Sequence, residues 1–476
     1  MGVRNETGYN RQSSIGDVNK DGWLDIAVGC DNIGNAQDGL PYSRLYVFQP
    51  NGNRFEDGTF IDIGETDLVP EFGGFYHDPN KDKAGPGITL RDLDLLQSYH
   101  VDVREPLLPY SPGEYAQGIF SWKNLLAETG AFKFHRIADN GLAEYGKLKY
   151  NKEKQLYEPV AIGPGLPYIS VADVDNDGRL DVLAVGPSDP GWSPRAEYVS
   201  GRFWHDLSDL KFQHATTEAG LDALNWTYRE WFKFWNLPIP PNLQNWRPLR
   251  QGYQGQPGAQ QISPLDPRFY AADAVFADFN NDGWVDLVYV DRRESQTARY
   301  AVLFLNNGNG TFEPTKAEIS GIDASGIAAE VVDLNNDGLL DLVFAADPDN
   351  SGGPYGGAMD RYQDKVFLNT GALGGRAHHW LGLRFSGISD AELVGARMMI
   401  YDQRTNQMLG MRAMASNQSY KSGGALDAHF GLGKNDRVNI TINLLDGKSL
   451  IFSNVESGRL LDLNLQTKTM NVVKGR

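Results

Sequence analysis

The 476 residues predict an all-β protein: a β-propeller of five to seven blades, seven favoured, followed by a small C-terminal β-domain. Three observations carry that prediction. An acidic nonapeptide, D-x-[DN]-x-D-G-x-[LV]-D, recurs without gaps. Each copy runs into a short apolar, strand-like segment, and 53 glycines and 24 prolines spread turns along the chain. Repeated units of strand, acidic loop and strand bury on stacking what none buries alone, which suits radially arranged sheets and excludes a helical bundle.

The first copy is Asp17 to Asp25, followed by Ile26-Ala-Val28 and then by a strand with a turn signal, Leu45-Tyr-Val-Phe-Gln-Pro-Asn51-Gly52. Leu90-Arg-Asp92-Leu-Asp94-Leu reads as a decayed copy with Leu96 at its third ligand position, predicting a unit that lacks its metal. The intact second copy spans Asp173 to Asp181 before Val182-Leu-Ala-Val185. The third spans Asp278 to Asp286 before Leu287-Val-Tyr-Val290, and the fourth Asp333 to Asp341 before Leu342-Val-Phe-Ala345. A second repeated element begins at Phe55, Phe134, Phe212 and Phe312, the last preceded by an Asn307-Gly308 hairpin signal. The long interval between Asp173 and Asp278 has room for a further blade without a motif.

Residues 222–262 interrupt the pattern. Trp231, Phe234 and Trp235 recur at helical spacing until Pro238, Pro240 and Pro241 end the run. Two readings stay open: an insertion packed on the rim, or a protein- or sugar-binding platform of Trp226, Tyr228, Trp231, Trp235 and Trp246. The propeller is expected over residues 1–375 and the β-domain over 376–476. In the latter, Val438-Asn-Ile440-Thr-Ile442-Asn-Leu444 alternates as a strand and Leu445-Asp446-Gly447-Lys448 is a hairpin turn. Met398, Met399, Met408, Met411 and Met414 are explained by strand packing or, with His378, His379 and His429, by a copper site.

A hard cation such as calcium takes six to eight oxygens, and an extended loop supplies them from alternate positions. Positions 1, 3, 5 and 9 are Asp17, Asn19, Asp21 and Asp25; Asp173, Asp175, Asp177 and Asp181; Asp278, Asn280, Asp282 and Asp286; and Asp333, Asn335, Asp337 and Asp341. Position 7, which is Trp23, Arg179, Trp284 and Leu339, is expected to offer its backbone carbonyl, and the glycine at position 6 permits the wrap. A calcium hand between helices needs a glutamate at position 12, where these copies have Val28, Ala184, Tyr289 and Phe344. The expectation is about four structural Ca2+ sites.

Charge and cysteine use bound the function. With 44 basic and 61 acidic residues the net charge is −17, which excludes a nucleic-acid partner. Cys30 is the only cysteine, so there is no disulfide framework and no cysteine-ligated metal site. No apolar run is long enough for a transmembrane helix. The polar start, Met1 to Glu6, has no apolar leader, leaving a cytosolic protein or a mature form; the weak affinity of extracellular calcium modules favours an extracellular or periplasmic location.

The acidic loops resemble the FG-GAP/VCBS repeats of integrin-type propellers. In the tail, His379-Trp380-Leu381-Gly-Leu383-Arg384, Val394-Gly-Ala-Arg397, His429-Phe-Gly431-Leu-Gly433, Asp446-Gly-Lys448 and Asn454-Val455 resemble the ASPIC/UnbV domain. The resemblance implies calcium in a structural role, and an exported binding or scaffold protein whose partner is a protein or a carbohydrate. The chain carries no G-x-S-x-G, P-loop or H-E-x-x-H motif. A carbohydrate-active lyase or dehydratase on the same scaffold is the alternative, and whether the chain is an enzyme is left open.

Overall fold

The computed structural model describes residues 9–31, 44–51, 59–62, 84–91, 94–99, 114–137, 140–151, 156–159, 168–186, 200–208, 210–238, 271–291, 301–316, 322, 328–345, 364–414 and 426–475. These residues form five successive antiparallel sheets and then two more. The first sheet is β1 (Tyr9–Gly16), β2 (Asp25–Asp31), β3 (Arg44–Gln49) and β4 (Thr59–Asp62), in that order. The second comprises β5 (Ala84–Arg91), β6 (Asp94–Tyr99), β7 (Glu114–Asn124) and β8 (Phe134–Ile137), with a hairpin of β9 (Ala143–Asn151) and β10 (Leu156–Pro159) added along β7.

The third sheet is β11 (Tyr168–Ala172), β12 (Asp181–Val185), β13 (Gly201–Ser208) and β14 (Lys211–His214). The fourth is β15 (Ala271–Ala277), β16 (Asp286–Asp291), β17 (Val302–Asn306) and β18 (Phe312–Pro314). Three strands make the fifth: β19 (Ala328–Val332), β20 (Asp341–Ala345) and β21 (Lys365–Phe367). Five blade-sized sheets among the described residues stand at the lower end of the expected range. In the long interval before Asp278, the described residues continue from β13 and β14 into a helical insertion instead of a further sheet.

The blades pack through their first strands: β5 lies against β1, β11 against β5, β15 against β11 and β19 against β15. The apolar cores lie between neighbouring sheets. One joins Leu183 and Phe203 of the third to Leu287 and Phe304 of the fourth, and another joins Val275 and Val288 of the fourth to Leu342 and Phe344 of the fifth. Phe134, Phe212 and Phe312 begin or lie in the fourth strands of their sheets and are all buried, while Phe55 lies outside the described residues.

The segments after Phe134 and Phe212 each hold the next blade. Phe212 N donates to Asn140 O at 2.8 Å and Phe312 N to Ala219 O at 2.8 Å. The succeeding glycines, Gly141 and Gly220, have φ of +88° and +70°. A β-carbon on them would lie 2.0 Å from Phe212 O and 2.5 Å from Phe312 O. Only glycine permits that approach.

The insertion contains a helix, Tyr228–Phe234, started by a capping box in which Thr227 and Glu230 satisfy each other's backbone donors. Trp231 is fully buried, stacks on Trp235 at 5.1 Å and meets Phe304 edge-on at 6.0 Å. Trp231 and Trp235 therefore belong to the core between the third and fourth sheets, which corrects their assignment to a binding platform. Trp226 is half-buried against Trp231, while the Tyr228 side chain and all of Trp246 lie outside the described part of the chain.

The C-terminal strands form a sandwich. One sheet orders β25 (Asp427–Gly433), β22 (His379–Ser386), β28 (Arg459–Asn464) and β29 (Thr469–Gly475). The other orders β24 (Met408–Ala413), β23 (Arg397–Asp402), β26 (Arg437–Asn443) and β27 (Ser449–Glu456). Val438, Ile440 and Ile442 point inward against Leu381, Phe430 and Leu461, as the alternation predicts. Met398 and Met414 are in that core and Met411 is buried beside the acidic loops, while His378, His379 and His429 bond to Asn280, Ser457 and Asn281. Packing accounts for these methionines.

Candidate metal centre

The four acidic loops repeat one hydrogen-bond scheme. The carboxylate at position 1 accepts from the backbone N–H groups of positions 5 and 6: Asp17 from Asp21 (3.0 Å) and Gly22 (2.7 Å), and Asp278 from Asp282 (3.1 Å) and Gly283 (2.8 Å). Asp173 and Asp333 do the same. The position 3 oxygen of Asn19, Asp175, Asn280 and Asn335 accepts from the position 5 N–H, and the position 5 carboxylate of Asp21, Asp177, Asp282 and Asp337 accepts from position 7. These bonds wrap the chain so that side-chain oxygens converge. In the second loop one oxygen each from Asp173, Asp175 and Asp177 lies within 4.8 Å of the others.

Position 9 has a second task. Asp25, Asp181, Asp286 and Asp341 are buried, and each accepts from the position 2 N–H of its own loop. The other oxygen accepts from the third strand or just beyond it, at Phe48, Asp206, Asn306 and Asn369, over 2.8–2.9 Å. A carboxylate oxygen has a lone pair to spare beyond one such bond, so this latch is compatible with ligation.

The latch corrects the alignment of the second unit. Asp94 accepts from Asn124 N at 2.8 Å, as the position 9 residues do elsewhere. It therefore corresponds to position 9 and not to position 3. Arg91 pairs directly with Asp94 across the β5–β6 turn, and only two residues separate these strands, where eight separate β1 from β2. The loop has been shortened around a retained latch, and Asp92 itself lies outside the described residues.

Nothing in the residue pattern announces the clasp that joins the blades. Asn124, Asn306 and Asn369 donate to the position 2 carbonyls of the preceding looped sheets, at Val18, Val174 and Phe279, over 2.7–2.9 Å. The third sheet, which follows the loopless second, has Asp206 at this place. The fourth position is likewise uniform: Lys20, Asn176, Asn281 and Asn336 all adopt φ of 54–58°. Asparagine tolerates that left-handed conformation, so three of the four residues are a usable signal.

Position 7 side chains pack or pair instead of converging. Trp23 lies on Phe48, Leu339 is buried, Trp284 lies beside Gly308, and Arg179 pairs with Asp177. His205 adds a nitrogen to the second loop, 3.3 Å from Asp181 and 3.9 Å from Asp175. Burial, reinforced by neighbouring carboxylates, pushes Asp25, Asp173 and Asp278 up to about 7. Burial also raises Asp17, Asp175, Asp282 and Asp333, and raises Asp286 well above the usual range. Clustered carboxylates that resist ionisation for want of a positive charge are what a divalent cation relieves, and the all-oxygen donor set of the first, third and fourth loops suits a hard ion. The residues fit calcium.

The sandwich covers the loop ends. Between them is a cavity of about 180 Å³ whose lining includes Asp173, Asp278, Asp333, Trp380, Arg412 and His429. The Arg412 guanidinium sits 5.0 Å over the Phe430 ring. Burial, with the positive charge of Arg412 adding to it, pushes His429 down to about 3, and its neutral Nε2–H donates to Asn281 Oδ1 at 2.8 Å.

Fold and loops together define a propeller-type protein with acidic inter-strand loops and a β-sandwich capping them. Comparison with known families agrees: an FG-GAP-like repeat matches residues 278–344, and an ASPIC and UnbV domain matches residues 388–469. The chain carries both. No curated protein matches it. Among the described residues no helix is long and apolar enough to cross a membrane.

Proposed function

We propose that the protein is a calcium-stabilised interaction scaffold working outside the cytoplasm, at the cell surface or in the periplasm. The observation that supports this most is the fourfold repetition of one donor arrangement, down to the position 9 latch that ties each loop to the outer part of its blade. An ion held at positions 1, 3 and 5 would therefore stiffen a blade and not merely a turn. Binding of about 0.1 to 1 mM, usual for extracellular modules, suits a calcium-rich compartment.

The partner is read as a protein in preference to a carbohydrate. Trp231 and Trp235 are in the core, so the aromatic platform a sugar would need is reduced. Exposed apolar side chains instead gather at sheet edges: Val366 and Leu368 at the fifth sheet, and Met470, Val472 and Val473 on β29. Such edges suit a polypeptide. Affinity capture from the native source in calcium and in chelator tests the reading. Calcium-dependent recovery of one protein supports it; recovery only on polysaccharide matrices would overturn it.

The polar cavity favours a second reading, a lyase or dehydratase. Its His429 is already committed to Asn281, and three of its carboxylates are candidate ligands. Turnover of an acidic polysaccharide by the calcium-loaded protein, abolished by Arg412→Ala, would establish that reading in place of the scaffold.

A further inference from the structure

The sandwich does not merely sit near the acidic loops; it touches all four, and mostly through the residues between ligand positions. In the first loop Lys20 Nζ donates to Leu445 O at 2.8 Å. In the second, Asn176 Nδ2 donates to Leu409 O at 3.3 Å and Gly178 O accepts from Arg397 at 3.2 Å. The third is held hardest. Asn280 O accepts from His378 Nδ1 at 2.8 Å, Asn281 Oδ1 from His429 Nε2 at 2.8 Å, and Asn281 O from Gly433 N at 2.9 Å. At the fourth, Gly338 lies so close to the Trp380 indole that a β-carbon would come within 2.0 Å of it.

We propose that calcium occupancy of the loops and docking of the sandwich over the loop ends form one coupled equilibrium, with the tail motifs around His378, Trp380, Arg397 and His429 serving as the reader of loop conformation. The coupling rests on the calcium binding proposed for the loops. Its physical basis is that one backbone conformation does both jobs. The left-handed residue at position 4 turns its side chain to the sandwich only while positions 3 and 5 are wrapped inward, and Asn281 also donates to Gly338 O of the next loop at 2.8 Å. Loops stripped of metal hold mutually repelling carboxylates that loosen the wrap, so the contacts weaken together.

Arg412, half-buried in the interface, acts the other way. Arg412 feels the negative charge of Asp278, Asp173 and Asp286, and metal-free loops attract it more strongly. It is set against six hydrogen bonds and a close ring contact that all require the wrapped loop. By linkage, whatever factor calcium contributes to docking, docking contributes to calcium affinity, and couplings of this kind are commonly about 5- to 150-fold.

The test uses the full chain with Cys30→Ser and spin labels at Glu218→Cys on the propeller and Asn471→Cys on β29, both exposed positions. Double electron–electron resonance should give one narrow distance in calcium and a broadened, longer distribution in chelator. Arg397→Ala is the uncoupling variant, because it removes the sandwich's donor to Gly178 O without touching a ligand position. It should broaden the distances even in calcium and weaken calcium binding, measured by calorimetry, by about fivefold or more. If that variant does not fold, His378→Ala, which removes one contact to Asn280 O, should shift both readouts the same way. Calcium binding seen by calorimetry with an unchanged distance distribution would overturn the coupling alone. No calcium binding at all would overturn the reading beneath it.

Discussion

Replacing Asp282 with alanine separates the contribution of an ion from that of the loop. The Asp282 carboxylate makes two bonds within the loop, accepting from Trp284 N at 2.9 Å and from the Asn280 side chain, and its charge opposes ionisation of Asp278. Without metal the two lost bonds, both partly exposed, cost about 1 to 2 kcal/mol together, and relief of the repulsion offsets about 1 kcal/mol, so the net change stays below about 1 kcal/mol. With about 10 mM calcium and a site affinity of about 0.1 to 1 mM, the ion stabilises the fold by roughly 1.4 to 2.7 kcal/mol, and the variant forfeits it. With about 2.1 cal/mol/K of unfolding entropy per residue over 476 residues, that is a fall of about 1.5 to 3 °C in Tm. Scanning calorimetry in calcium and in chelator reads both numbers. Asp286→Ala is the internal control. It orphans the buried N–H groups of Phe279 and Asn306, costing about 1 to 3 kcal/mol each with or without metal. An equal loss from Asp282→Ala in both conditions would refute the assignment of a ligand role to that residue.

Three further outcomes are expected. Gly220→Ala places a β-carbon 2.5 Å from Phe312 O at a positive φ and should destabilise by about 2 to 5 kcal/mol in denaturant titrations; a loss below about 1 kcal/mol would show that the lock between blades yields freely. Asn306→Ala removes donors to Val174 O and Val285 O and should cost about 3 kcal/mol by the same assay, whereas no change would dismiss the clasp. The pH dependence should reverse sign with metal. In chelator, Asp25, Asp173 and Asp278, raised to about 7 mainly by burial, keep protons that the unfolded chain releases near its ordinary carboxylate range. Their contribution is therefore complete at low pH and lost as pH rises through about 7, while calcium binding strengthens over the same interval and releases protons. Calorimetry near pH 6.5 in buffers of different ionisation enthalpy measures that release, and identical heats in all buffers would contradict it.

The acidic loops were legible because four copies in one phase leave little room for chance, and their wrapped geometry follows from residue types at fixed positions. The shortened second unit was misaligned because Asp92 and Asp94 are spaced like positions 1 and 3; the bond from Asn124 to Asp94, thirty positions apart in sequence, reveals the true correspondence. The insertion was ambiguous since aromatic residues serve both cores and binding surfaces. Trp231 and Trp235, four apart on one helix face, already favoured burial, and Thr227 with Glu230 marked the helix start. The cover over the loops could not be read at all. Asn281 and His429 meet across 148 residues of chain, and neither side of that contact has a pattern pointing to the other. The tail motifs show where a domain is, but not what its residues touch.

Calcium in the loops is tested most directly by counting the ions bound to the folded chain. Elemental analysis after exhaustive exchange into trace-metal buffer with about 10 mM calcium gives that count, paired with the same measurement on an Asp173→Ala, Asp278→Ala double variant. About four ions per chain, falling to about two in the variant, is the predicted result. A folded wild-type chain that retains no calcium, or a count that the double variant leaves unchanged, would contradict it.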